Sequence, residues 1–119
     1  MPLFARASTN QGQIMPEQLT FKLIARNENQ SDYDWMNIEH GNQRVGKVRG
    51  LMEGRTLTIN SINIFPEFEG QGFARKTINM FRKSFDTIIA DRVRHTAVGF
   101  WQKMKFTPDD SGNYIWKNK

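Results

Sequence analysis

TLTINSINIFPEFEGQGFA, residues 56–74, slips phase once and then passes a proline and two glycines. Leu57 and Ile59 share one face, because a strand repeats every two residues. Ile62 and Ile64 fall on the opposite phase. If both pairs serve one core, an extra residue must be absorbed at Asn60-Ser61, as a β-bulge does. A bulge bends the strand away from its next neighbour and leaves backbone amides unpaired. A flat strand buried on both faces would carry the same slip without one. Beyond Pro66 the period changes. Ala74, Ile78, Phe81 and Phe85 form one helical stripe, with Arg75, Asn79, Arg82 and Lys83 largely outside it. The loop Glu69-Gly70-Gln71-Gly72-Phe73-Ala74 therefore runs from a bent strand into a helix. Its glycines permit tight curvature and close ligand approach. The first amides of a helix lack internal partners and sit at the positive end of its dipole, so such a loop can cradle a pyrophosphate. An ordinary strand-to-helix turn accounts for two glycines equally well.

Upstream, Leu19 to Leu23 alternates apolar and polar residues and reads as a half-buried strand. Asn27 to Asp32 is a polar turn, Tyr33 to Ile38 a second strand, Gly41-Asn42 a tight turn, and Val45 to Met52 a third strand. Short turns between successive strands predict an antiparallel meander. Downstream, Thr87 to Ala90 is a short apolar strand. Strand, helix, strand in sequence predicts a right-handed crossover to a parallel partner. Ala97, Phe100, Trp101 and Met104 make a second helical stripe ending before Pro108. A turn at Asp109 to Gly112 leads to a closing strand, Asn113 to Lys117. The expected class is mixed α/β: a mostly antiparallel, twisted sheet of about six or seven strands with one β-α-β crossover.

The chain has 119 residues, which suits one domain. Residues 1–18, rich in Gln, Asn, Ser and Thr, read as an N-terminal arm, and 19–119 as the domain. No cysteine is present, which excludes disulfides, thiolate metal sites and a cysteine nucleophile. No metal site is expected. No apolar run approaches a membrane span, and the N-terminus lacks the apolar core of a signal peptide. The expectation is a soluble, cytoplasmic protein with no membrane partner. Lys and Arg number 17 against 12 acidic residues, a net charge of +5. That balance suits an acidic or phosphorylated partner, nucleic acid included, and equally a solvated basic surface.

Glu69, Gly72 and Ala74 stand at the spacings of the Q/R-x-x-G-x-G/A signature of the GNAT superfamily of N-acetyltransferases. Ile62 to Phe68 resembles that family's apolar strand and Pro-containing approach to the loop. Ala97-Val98-Gly99-Phe100-Trp101-Gln102-Lys103-Met104-Lys105-Phe106 resembles its A-x-x-F/L-Y-x-K-x-G-F helix. The resemblance spans roughly residues 43–117. It implies the acyl-CoA N-acyltransferase fold, with acetyl-CoA as co-substrate in an opening between the fourth and fifth strands. The pantetheine arm would pair with backbone near Ile62, Asn63 and Ile64. The pyrophosphate would meet the amides of Gly70, Gln71, Gly72, Phe73 and Ala74, with Arg75 beside them.

The sequence departs from the pattern at four places. Glu69 replaces Gln or Arg, Trp101 replaces the tyrosine that often protonates the leaving thiolate, Lys105 replaces a glycine, and Arg94 replaces a common asparagine. An indole N–H is no comparable acid, so Trp101 is assigned to packing. Thr56 to Ile64 holds no Asp, Glu or His. Asn60, Ser61 or Asn63 could orient a water that takes the amine proton, and His95 has a suitable intrinsic pKa. A capping or surface role also fits His95. Larger members of the family carry one or two helices between their first strands as a wall over the acceptor; Leu19 to Ile38 has room for little beyond two strands and a turn, so the resemblance implies an open acceptor side. The function expected from this resemblance is transfer of acetyl from acetyl-CoA to an amine on an unidentified, macromolecular or acidic acceptor. The alternative is a GNAT-like module of weak or no activity that binds nucleic acid or a protein.

Overall fold

The structure is a computed structural model describing residues 18–118. The N-terminal arm, apart from Gln18, lies outside the described residues. Seven strands form one sheet in the order β1-β2-β3-β4-β5-β7-β6. They are β1 (Leu19–Ile24), β2 (Asp34–His40), β3 (Gln43–Glu53), β4 (Thr56–Ile64), β5 (Thr87–Ala90), β6 (Thr107–Pro108) and β7 (Tyr114–Lys117). The helices are α1 (Phe73–Ser84), between β4 and β5, and α2 (Val98–Lys103), after β5. Every pairing is antiparallel except β4 with β5. The meander and the crossover are as the alternation and turns imply. The two-residue β6 has no sequence signal of its own; Thr107 and Pro108 are ordered by pairing with Ile115 and Tyr114.

The core joins strand residues such as Ile38, Val48, Leu57 and Ile88 to Phe73, Ile78 and Phe81 of α1. The α1 stripe packs on the meander through Phe81, whose ring centre is 5.1 Å from that of Phe21. The buried Asp34 ties the meander together: its carboxylate accepts from the backbone N–H of Arg26 (2.8 Å) and of Met52 (2.9 Å). A buried carboxylate is tolerated because it is paired this way.

β3 and β4 approach closely at Gly50. A Cβ there would run into the Thr58 carbonyl oxygen, which is backbone and cannot swing aside. Gly50→Ala is expected to cost about 1–3 kcal/mol, the range for overpacking a fitted interior. Urea unfolding of the two proteins checks it; equal midpoints would show that the strands are free to separate.

Two devices set the ends of the parallel pair. Arg55, just before β4, grips Asp86, just before β5, through Nε to Oδ2 at 2.8 Å and Nη2 to Oδ1 at 3.2 Å. The Arg55 guanidinium holds the Asp86 carboxyl below its ordinary pKa, chiefly by this hydrogen bond. At the other end pairing stops at Ile59↔Ala90, with one last bond from Asp91 N–H to the Ile59 carbonyl (2.9 Å). The strands are clamped at one end and part at the other.

The end of α2 bears on the departure at Lys105, which has φ +69°. The N–H of Phe106 bonds to the Trp101 carbonyl and that of Lys105 to the Gln102 carbonyl, both at 3.0 Å. This is a Schellman cap, completed by contact between the rings of Trp101 and Phe106, 4.8 Å apart. The turn thus keeps the left-handed shape that suits glycine although a lysine occupies it.

A candidate acetyl-CoA cleft between β4 and β5

The register of β3 on β4 places the bulge. Arg49 lies opposite Ser61 and Gly50 opposite Ile59, so Asn60 is the extra residue. Ser61 and Asn63 are exposed, while Ile62 and Ile64 pack on the same core as Leu57 and Ile59. The phase slip between Ile59 and Ile62 is the bulge. Past it, β4 pairs only with β3 among the described residues, and the opening separates its other edge from the segment Asp91 to Arg94 that follows β5.

A cleft of about 360 Å³ occupies this opening. One wall carries Asn60, Ser61, Ile62 and Asn63; the other carries Asp91 to Arg94 and the start of the α2 segment, Thr96 and Ala97. Trp101 closes its floor and is buried, packed edge-on to Phe100 at 4.9 Å. Arg49 of β3 also lines it. Asn60 spans the fork: its Nδ2 donates to Asp91 Oδ2 at 3.0 Å. The parallel register explains the partner, since Asn60 and Asp91 directly follow the last pair, Ile59↔Ala90. Arg92 Nε also donates to that carboxylate oxygen, at 3.2 Å.

At the mouth of β4, after a 3-10 turn at Pro66–Phe68, the chain enters α1 through Gly70 and Gly72, with φ +83° and +81°. Gly72 is the N-cap, and no side chain among the described residues caps the helix. The first backbone bond back into the helix is Lys76 N–H to the Gly72 carbonyl, at 3.0 Å. The N–H groups of residues 70–74 have no backbone partner among the described residues. A helix end left open in this way is able to receive an anion. A second hollow of about 380 Å³ adjoins it, lined largely by apolar groups from Ile64, Phe68, Phe73 and Phe100. Arg75 borders this hollow and is exposed. Glu69 borders it too, exposed and without an ion pair among the described residues.

No family model matches the sequence. An uncharacterized N-acetyltransferase of Bacillus cereus is 28% identical over 115 residues, covering 86% of this chain and 71% of the relative. Among solved structures, an acetyltransferase from Thermus thermophilus superposes with a TM-score of 0.60, at 18% identity over 76% of this chain and 69% of that one. The Bacillus subtilis N-acetyltransferase YlbP, solved in complex with coenzyme A, gives 0.56 at 19% identity, over 76% of this chain and 72% of that one. The chain has the fold of the GNAT superfamily of N-acetyltransferases. In the GNAT fold of this chain, the parted β4–β5 pair opens onto the first hollow and the start of α1 borders the second.

The sequence-derived candidates distribute unevenly around this cleft. Asn60, Ser61, Ile62 and Asn63 line it; Ile64, Gly70, Gly72, Phe73, Ala74 and Arg75 line the second hollow instead, and Gln71 lines neither. His95 is exposed at the start of a 3-10 turn and does not line the cleft, although its neighbours Arg94 and Thr96 do. Arg49 and Asp91 line it and were not marked by the sequence. Asp91 could have been inferred once the bulge and the parallel register were combined. For Arg49, a polar residue alternating with buried Val48 and Gly50, the strand pattern signals only a solvent face.

Proposed function

We propose that this protein transfers the acetyl group of acetyl-CoA to an amine held in the β4–β5 cleft. The observation that carries the reading is the joint geometry of the parted strands and the uncapped helix. One offers unpaired β4 backbone to an amide-bearing arm; the other offers unpaired N–H groups to a pyrophosphate. The N-acetyltransferase names of the sequence relatives, and the coenzyme A bound in YlbP, support the same assignment.

In the reaction the amine nitrogen forms a bond to the thioester carbonyl carbon, the carbon–sulfur bond breaks, and the sulfur leaves as thiolate. The amine's surplus proton ends on that sulfur, giving the N-acetylated amine and CoA. A backbone N–H on the free edge of Ile62 to Ile64 would donate to the carbonyl oxygen as charge builds there. The N–H groups of Gly70 to Ala74 would hold the pyrophosphate, and Arg75 would add positive field. Asn60 and Ser61 would position the amine or a water that relays its proton. Proximity within the complex supplies most of the rate, since β4 offers no strong base.

Between β1 and β2 the described chain supplies only the turn of residues 25–33, with no helix to wall the acceptor side. An open, cationic entrance fits an acidic acceptor. The test is titration calorimetry with acetyl-CoA, followed by assay of thiol release across an amine panel. The expected result is saturable binding and amine-dependent release. No heat with acetyl-CoA would overturn the proposal.

A further inference from the structure

Two polar groups of the cleft have no partner among the described residues. Arg49 Nε is buried without a hydrogen bond, and so is Asn60 Oδ1. Neither is explained by the fold. The Arg49 guanidinium carbon stands over the Tyr33 ring, 4.8 Å from its centre, a cation–π contact. Arg49 makes no ion pair among the described residues. A guanidinium cannot shed its proton, so a partly buried one requires an acceptor. The Asn60 amide is oriented by Asp91: a carboxylate needs a donor, so Nδ2 faces Asp91 and Oδ1 is left over. The lining carries three arginines, Arg49, Arg92 and Arg94, against the single carboxylate of Asp91, which Arg92 already engages.

We infer that the cleft selects an acceptor amine carrying an oxyanion, a carboxylate or phosphate, a few bonds from the nitrogen. The Arg49 fork would take the oxyanion and Asn60 Oδ1 would accept from the amine N–H. Arg49 pairs with Ser61 of the neighbouring strand, next to Asn60, and both side chains line the same cleft. The phosphates of CoA are not the natural partner of Arg49. Ser61 to Ile64 alone rises roughly 10 Å along β4 before the loop that cradles them begins.

This inference rests on the acetyltransferase reading, and the experiment separates the two. Thiol release from acetyl-CoA is measured with two matched pairs: an amino acid against its carboxamide, and O-phosphoethanolamine against ethanolamine. Wild type is expected to favour one or both anionic members by about 10- to 100-fold in kcat/KM, the worth of a charge-assisted bond. The pair that shows the preference identifies the carboxylate or the phosphate as the recognised group. Arg49→Gln should collapse the preference through the acceptor KM while leaving the KM for acetyl-CoA unchanged. NMR titration of the CoA-saturated protein with the same four amines reads the preference without turnover. Equal use and equal binding of charged and neutral members, or a preference that survives Arg49→Gln, overturns the inference while acetyl-CoA binding stands. Absence of acetyl-CoA binding in calorimetry overturns the acetyltransferase reading, and this inference with it.

Discussion

Gly72→Glu is expected to weaken CoA binding by at least about 100-fold. Two effects add. Gly72 has φ +81°, a conformation that costs a residue with a Cβ about 1–2 kcal/mol. The new carboxylate would also stand at the uncapped start of α1, where the pyrophosphate is proposed to sit. Two unit charges about 4 Å apart near a protein surface repel by roughly 4 kcal/mol. Packing contributes little, since a Cβ at Gly72 meets no atom within 4 Å. Gly72→Ala isolates the strain: it should lower stability by about 1–2 kcal/mol and weaken CoA binding less than tenfold. Calorimetry with CoA, alongside thermal melts of the three proteins, separates the terms. Equal CoA affinity in wild type and Gly72→Glu would remove the loop from the site.

The same loop shows what a sequence can reveal. Gly70 and Gly72 are legible because positive φ is nearly reserved for glycine, and a change of period from two to 3.6 marks where the helix begins. The bulge at Asn60 is legible for a related reason. A one-residue slip moves every later side chain to the other face, so an uncompensated slip between Ile59 and Ile62 would put Ile62 and Ile64 in water. Roles that depend on distant pairing are not legible in the same way. Arg49 becomes part of the cleft only through its register with Ser61, and Asp91 only through the parallel pair Ile59↔Ala90. His95 drew attention through its intrinsic pKa, which says nothing about where a 3-10 turn will place it. The cap on α2 depends on packing that the residue type alone does not show: the ring contact of Trp101 with Phe106 and the two capping bonds hold a left-handed lysine in the glycine shape.

Deleting Asn60 is expected to leave the protein folded and to reduce acetyl transfer by at least about 100-fold. The reason lies in the alternation. Without Asn60, the strand reads Leu57, Thr58, Ile59, Ser61, Ile62, Asn63, Ile64. Leu57, Ile59, Ile62 and Ile64 then fall on one face by simple period two, with no bulge to absorb. The four apolar side chains keep the core they have now, so stability should change by no more than about 1–2 kcal/mol, within the usual span for a single change. What the deletion removes is the bend, the Asn60 bridge to Asp91 and the orphan Oδ1. A straight β4 can continue its pairing with the segment after Ala90, closing the edge that the acetyl-bearing arm needs. A few hundredfold corresponds to roughly 3 kcal/mol of barrier, comparable to the loss of one preorganised donor. Asn60→Ala provides the contrast, because it keeps the extra residue and its bend while removing the side chain; it should lose less than the deletion. Thermal melts, CoA calorimetry and the thiol-release assay on both variants read the three consequences apart. A deletion variant that folds and turns over like wild type would show that the parting of β4 from β5 does not depend on the bulge.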